Sequence, residues 1–179
     1  MKKLILYKSN YGSTQKYAED VGVAVGADVI PLKKFKWKAL DQYDIIVFGG
    51  WVLGGNIQGV NDFLSHWDEM KDRNVIIFAV GMGFPNAETR NNLINQNVLD
   101  LYHIRFYQFQ GSFHFDRLNF LHKTIMKTSL ARIARKPDAT EADQSILSIL
   151  ENPIEVYDQA KVDRLVEVIE KIEAEDNQA

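Results

Sequence analysis

The sequence predicts an α/β fold, a parallel sheet wound with helices on both faces, on three observations. Short continuous apolar runs stand at residues 4–7, 45–49 and 75–80, and runs of this length without polar alternation fit strands covered on both sides. Helix-period patterns lie between them, such as Tyr17, Ala18, Val21, Val25 and then Val60, Phe63, Leu64, Trp67. Each apolar run also opens into a turn rich in glycine or hydroxyls, and strand alternating with helix is the order that makes a sheet parallel.

At 179 residues with 46% hydrophobic composition, the chain fits one domain with enough mass for a two-sided core. The reading is a single domain over 1–175 with a frayed tail at 176–179. A net charge of -3 argues against a nucleic-acid partner. Cysteine is absent, which excludes disulfides, thiol catalysis and thiolate metal sites and points to a reducing, cytoplasmic home. Met1, Lys2 and Lys3 lead straight into the first strand, without the apolar region of a signal peptide, and no apolar stretch reaches membrane-spanning length. His66, His103, His114 and His122 have no metal-ligand spacing, and no serine stands in a nucleophile elbow.

The first strand, 4–7, runs into Ser9, Asn10, Tyr11, Gly12, Ser13 and Thr14, followed by a helix over 14–25 that Gly26 stops. Strand, hydroxyl-rich turn and helix make a phosphate cradle. The helix start leaves backbone N–H groups without intrahelical partners and its dipole favours an anion. Ser9, Ser13 and Thr14 add hydroxyls, and Gly12 lets the backbone bend tightly. Neither a Walker loop nor a dinucleotide fingerprint is written here. With no Lys or Arg between Ser9 and Thr14, the turn suits a phosphate monoester held inside the fold, at the carboxyl end of a strand where open α/β sheets bind ligands. The plain alternative is that Ser9 or Ser13 caps an ordinary helix.

A short second strand is expected at 27–32, then Lys33, Lys34, Lys36 and Lys38 interleaved with Phe35 and Trp37, which reads as a solvated face. After the strand at 45–49, the stretch from Gly50 through Trp51, Val52, Leu53 and Gly54 to Gly59 reads as an apolar glycine-rich loop that covers a flat ring, unless Trp51 tucks into the core. One helix carries Val60, Phe63, Leu64 and Trp67. The strand at 75–80 ends in Gly81, Met82, Gly83, Phe84 and Pro85, where Phe84 either stacks on a ligand or covers a neighbouring helix.

A helix at 87–97 and a strand at 102–110 follow, then His114, a candidate donor or proton relay whose alternative role is structural. Residues 118–133 are helical, and Arg117, Lys123, Lys127, Arg132, Arg135 and Lys136 make the stretch basic. Such a helix fits an anionic membrane surface or an acidic partner, and equally a core cover with a solvated basic face. A short helix is expected through Ile146, Leu147, Ile149 and Leu150. The last, acidic helix covers 158–174 with Val162, Leu165, Val166, Ile169 and Ile172 as its stripe, and its charge complements the basic stretch within the fold or across a homodimer.

The residues at 4–14, 44–50 and 75–83 together resemble the flavodoxins. That resemblance implies a three-layer sandwich, a five-stranded parallel sheet in the order 2-1-3-4-5, and FMN as cofactor. The segment at 111–127, from Gly111 to the Ile125-Met126-Lys127 run, is similar to the menaquinone-dependent protoporphyrinogen oxidase branch, and makes about 114–137 a basic helical insertion. By resemblance, the hydroxyls of Ser9 and Thr14 and the amides of Asn10, Tyr11, Gly12 and Ser13 bind phosphate. Two strand-end loops flank the isoalloxazine, one with Gly50, Trp51, Val52, Leu53 and Gly54, the other with Gly83 and Phe84. The chain departs from many flavodoxins in having Leu53 before Gly54, with Trp51 two positions earlier, and Phe84 where the second loop usually carries tyrosine. It is also only mildly acidic, which points away from a simple low-potential carrier. The resemblance therefore implies an FMN-dependent oxidoreductase, with a quinone or porphyrinogen as the electron-exchanging small molecule and no amino-acid nucleophile or acid–base pair. The alternatives are an electron carrier between proteins and an FMN-free interaction protein.

Overall fold

The structure, a computed structural model, describes residues 1–114, 117–140, 143–144, 147 and 155–176. Of the expected short helix through 146–150 only Leu147 is among them; of the expected frayed tail at 176–179, Asp176 is instead the last residue of the final helix and 177–179 lie outside the described residues.

The elements run β1 (Lys3–Lys8), α1 (Ser13–Val25), β2 (Asp28–Pro31), β3 (Ile45–Leu53), β4 (Asn56–Ile57), α2 (Val60–Leu64), α3 (Trp67–Met70), β5 (Asn74–Gly81), α4 (Ala87–Gln96), β6 (Arg105–Gln110), α5 (Phe120–Ala134) and α6 (Gln159–Asp176). The sheet order is β2-β1-β3-β5-β6, with every neighbouring pair parallel. Setting aside the two-residue β4, this is the expected five-stranded order.

Alternation along the strands splits the core into two layers, because successive side chains leave opposite faces. Leu4, Leu6, Ile46, Phe48 and Ile77 pack on one side with Phe63 of α2 and Met70 of α3. Ile5, Val47, Ile76, Phe78 and Phe109 pack on the other with Val21 of α1 and Leu165 and Ile169 of α6. Each fully buried Phe, Leu or Ile in these layers contributes about 1.5–3 kcal/mol against exposure. The acidic α6 is fastened to β1 by the Glu173 carboxylate, which pairs with the Lys3 ammonium.

Three segments differ from the sequence reading. The stretch after Gly49 is strand rather than loop: β3 continues to Leu53 because β5 accompanies it as far as the Trp51–Val80 pair. It then turns through Gly54 and Gly55, at φ 58° and 84°, and returns as β4, whose Asn56 and Ile57 pair antiparallel with Leu53 and Val52. The glycines serve this hairpin. The helix expected to join Val60 to Trp67 is two short pieces, broken at Ser65 and His66, where the His66 ring stacks on Trp37 with centroids 3.7 Å apart. The strand expected from 102 begins at Arg105, because Leu99–Leu101 forms a 3-10 turn before it.

Candidate functional site

From β1 the chain crosses outward to β2 and then returns past β1 to β3. Connections on opposite sides leave a crevice beyond the carboxyl ends of β1 and β3. A cavity of about 60 Å³ occupies it, lined on one side by Ser9, Ser13 and Thr14 and on the other by Trp51 and Leu53. No charged residue is among those lining it.

The turn before α1 is shaped by Gly12, at φ 100°, a conformation that L side chains rarely adopt. The Gly12 N–H donates to the Ser9 hydroxyl at 3.2 Å, so Ser9 folds the turn onto itself. α1 starts at Ser13 with no side-chain cap, and its first internal bond runs from the Lys16 N–H to the Gly12 carbonyl at 2.9 Å. The amides of its first turn therefore face outward uncapped, and the reading of Ser9 or Ser13 as an ordinary helix cap is not what the turn builds. Thr14 is 1% exposed, yet its hydroxyl makes no hydrogen bond among the described residues.

The opposite wall is aromatic. Trp51 meets the Tyr11 ring edge-on with centroids 5.7 Å apart and the His122 ring at 5.1 Å, while the Tyr11 hydroxyl and His122 Nδ1 are hydrogen-bonded at 2.6 Å. His122 lies in the first turn of α5, which Asn119 caps by accepting the His122 N–H at 2.8 Å. From there α5 turns an apolar side onto the site, where Leu53, Leu118, Met126 and Leu130 cluster with Trp51, Met82 and Phe113 packed against them. α5 is thus a cover seated on the carboxyl edge of the sheet.

A second cavity of about 300 Å³ continues between α4 and α5 and shares Val52, Gly81, Met82 and Met126 with the first. The structure distributes the expected site residues between the two. Ser9, Tyr11, Ser13, Thr14, Trp51, Val52 and Leu53 line the first; Gly54 and Gly83 line the second, again with Val52. Gly50 is buried behind the β3–β4 hairpin, where a Cβ would come within 2.5 Å of the Ile57 side chain. Asn10 and Phe84 are exposed and line neither cavity, Phe84 at 65%.

Sequence reasoning did not name Gly111, Ser112, Leu118 or Met126 for this site. Gly111 sits where β6 leaves the sheet, and a Cβ there would be 2.7 Å from Val80 and 3.1 Å from Ser13. His114, read as a donor candidate, pairs instead with Glu155. Beside it the Ser112 hydroxyl donates to the Val156 carbonyl at 3.2 Å and accepts the Val156 N–H at 3.1 Å, so both residues fasten the segment leading into α6. Tyr17 completes that fastening, donating to the Gln110 carbonyl at 2.7 Å and accepting the Asp158 N–H at 2.8 Å. Burial pushes its hydroxyl pKa up, against the lowering effect of the Asp158 N–H, and keeps it a donor.

Residues 4–141 match the family model for the flavodoxin domain. The chain belongs to the flavodoxin-domain family. The matched span runs from β1 through the turn that ends α5, so α5 falls within the domain. Among solved structures, this flavodoxin-domain chain is similar to Flavodoxin 2 from Bacillus cereus, with 15% identity, 76% of this chain and 100% of that one covered, and a TM-score of 0.46. The Megasphaera elsdenii flavodoxin matches at 13% identity over 83% and 97%, with a TM-score of 0.47. The Trp repressor binding protein from Bacillus subtilis matches at 16% over 88% and 100%, with a TM-score of 0.48. No curated protein sequence matches the chain.

Proposed function

We propose that this flavodoxin-domain protein binds FMN at the turn of residues 9–14 and is an FMN-dependent oxidoreductase with a quinone or porphyrinogen as its electron-exchanging substrate. The observation that carries the reading is the charge-free cavity at the uncapped start of α1, lined by the Thr14 hydroxyl, which has no hydrogen-bond partner among the described residues. A phosphate monoester supplies the acceptors that those amides and hydroxyls lack. When bound, FMN supplies the redox chemistry.

The chain's own residues bind, orient and shield. Ser13 and Thr14 offer hydroxyls and helix-start amides to the phosphate, while Ser9 keeps its hydroxyl on the Gly12 N–H and holds the turn in shape. Trp51, Leu53 and Met82 give apolar surface that keeps water from a flat ring. Leu118, just before α5, and Met126 of α5 close over the same space, which supports a small-molecule substrate admitted beneath α5 more than a bare ring edge presented to a protein.

Peripheral membrane contact belongs to the same proposal. Phe120 and Leu121 at the start of α5 are 87% and 64% exposed, and Lys123 and Lys127 follow Phe120 on its helix face. Apolar side chains flanked by cations suit the surface of an anionic bilayer, where a lipid-soluble quinone resides. Among the described residues, no helix is long and apolar enough to cross a membrane.

The test is the visible absorption spectrum with added FMN, followed by quinone-supplemented turnover on the same sample. Flavin bands with turnover support the oxidoreductase. Bands without turnover favour an electron carrier, and no FMN binding refutes the reading.

A further inference from the structure

β6 is the last strand of the sheet on its side, and its outer edge has no strand partner among the described residues. The Gly111 N–H bonds to the Gly81 carbonyl of β5 at 2.8 Å. By the period of two, the backbone groups of Arg105, Tyr107 and Phe109 face β5 and those of Phe106, Gln108 and Gln110 face outward. Two of the outward carbonyls have side-chain donors: Gln110 takes the Tyr17 hydroxyl, and Phe106 takes the Arg90 guanidinium at a long 3.4 Å. The outward amides of Phe106 and Gln108 and the Gln108 carbonyl face a groove of about 580 Å³ between α4 and α6, and the outward amide of Gln110 continues the edge beyond it.

The groove is cationic. Arg90 on α4, Arg105 on β6, and Lys161 and Arg164 on α6 line it, with no acidic residue among its lining, on a protein whose net charge is -3. Arg164 reaches Glu167 at 3.3 Å on the exposed helix surface, and Arg105 reaches the Asn74 side chain at 3.5 Å. Lys161 makes no side-chain bond among the described residues. Edge strands are commonly blunted by a charge on the strand itself. Here cations stand on both flanking helices as well, which makes walls for an occupant.

We propose that the β6 edge takes an acidic, extended peptide segment of a partner protein as an added strand. Strand addition supplies main-chain partners to the open amides, and alternate acidic side chains meet the cations on either wall. A second copy of this chain does not fit, because a twofold axis at this edge sets the same four cations against each other. The partner is therefore a different protein, and its approach along β6 brings it to the end of the sheet where Gly111 borders the candidate flavin site.

The experiment is amide NMR of the full chain titrated with a short peptide of alternating Glu and Val. Expected are shifts concentrated at Phe106, Gln108 and Gln110, with affinity weakened roughly tenfold or more when the peptide backbone is N-methylated at unchanged charge. Arg105→Glu combined with Lys161→Glu is expected to weaken binding by a similar factor. Lys161→Glu alone, at a partly exposed position without a bond to lose, gives a smaller loss in the same direction and serves if the double variant does not fold. No binding at millimolar peptide, equal binding of the N-methylated peptide, or shifts confined to α5 each overturn the proposal. So does tighter binding of oligothymidylate at the same amides, which would make the groove a nucleic-acid site.

Discussion

The Tyr11 hydroxyl and His122 Nδ1 lie 2.6 Å apart, joining the turn before α1 to the first turn of α5 across 111 positions of sequence. The two rings also stand edge-on to each other with centroids 5.9 Å apart, and Trp51 packs against both. This contact ties the cover to the turn proposed to hold phosphate. Tyr11→Phe keeps the ring and deletes the bond, at a cost of about 1 kcal/mol. The expected outcome is faster amide hydrogen exchange across α5 and faster FMN release, with exchange in β1, β3 and β5 unchanged.

Gly111 tests whether the end of β6 sets the position of Ser13. An added methyl meets Val80 at 2.7 Å and Ser13 at 3.1 Å, so one of them has to shift. Val80 is locked between strands, and Ser13 is the first residue of its helix, so Ser13 is the one that gives. Gly111→Ala is therefore expected to weaken FMN binding roughly tenfold, the equivalent of about 1.4 kcal/mol, in a fluorescence titration. Gly26→Ala, whose Cβ meets nothing within 4 Å, leaves FMN affinity unchanged while costing stability through its φ of 64°.

Alkaline pH acts on the opposite edge of the sheet. Tyr43 donates to the Asp28 carboxylate at 2.7 Å, and burial, with that bond and the Asp28 charge, raises its pKa to about 12. The folded value lies above the unfolded value of about 10. The pair's contribution is thus fully present below pH ~10 and is lost as pH rises through about 12. Tyr43→Phe is expected to flatten the fall in thermal stability across that window, and tyrosinate absorption is expected to lose one late-titrating group.

Membrane contact is read at Phe120 and Leu121, both strongly exposed. Replacing both with Ser is expected to reduce sedimentation with anionic vesicles roughly tenfold or more, since each apolar side chain buried in the interface contributes about 1.5–3 kcal/mol. Neutral vesicles are expected to bind the unaltered protein less well, because the lysines of α5 then have no anionic surface to meet. Equal sedimentation of variant and parent refutes a role for this tip.

Much of the sheet was legible because short two-sided apolar runs such as 45–49 and 75–80 admit few other placements. The turn proposed to hold phosphate was legible as a candidate because all its parts sit within residues 9–14, directly after a strand. The β3–β4 hairpin was hidden since Trp51 to Leu53 are held as strand by β5 and β4, pairings that local glycine content does not reveal. Leu118, Met126 and His122 reach the site only by the way α5 folds back over β3. The periodicity of α5 shows a helix there and gives no sign of which loop its first turn meets. The position of Phe84 at a strand end leaves open whether it stacks on a ligand or covers a neighbouring helix, and the backbone carries it outward to solvent.

The most direct measurement is an FMN titration of the parent protein and Thr14→Val, followed by flavin absorption and fluorescence. The substitution keeps the buried shape and removes a hydroxyl that no described residue satisfies. The expected result is flavin binding by the parent, with affinity at least tenfold weaker in Thr14→Val, as a hydrogen bond to a charged group is worth about 1.5–3 kcal/mol, and no loss of stability in the flavin-free variant. Absence of FMN binding by the parent, or equal affinity in the variant, would contradict the assignment of the turn at residues 9–14.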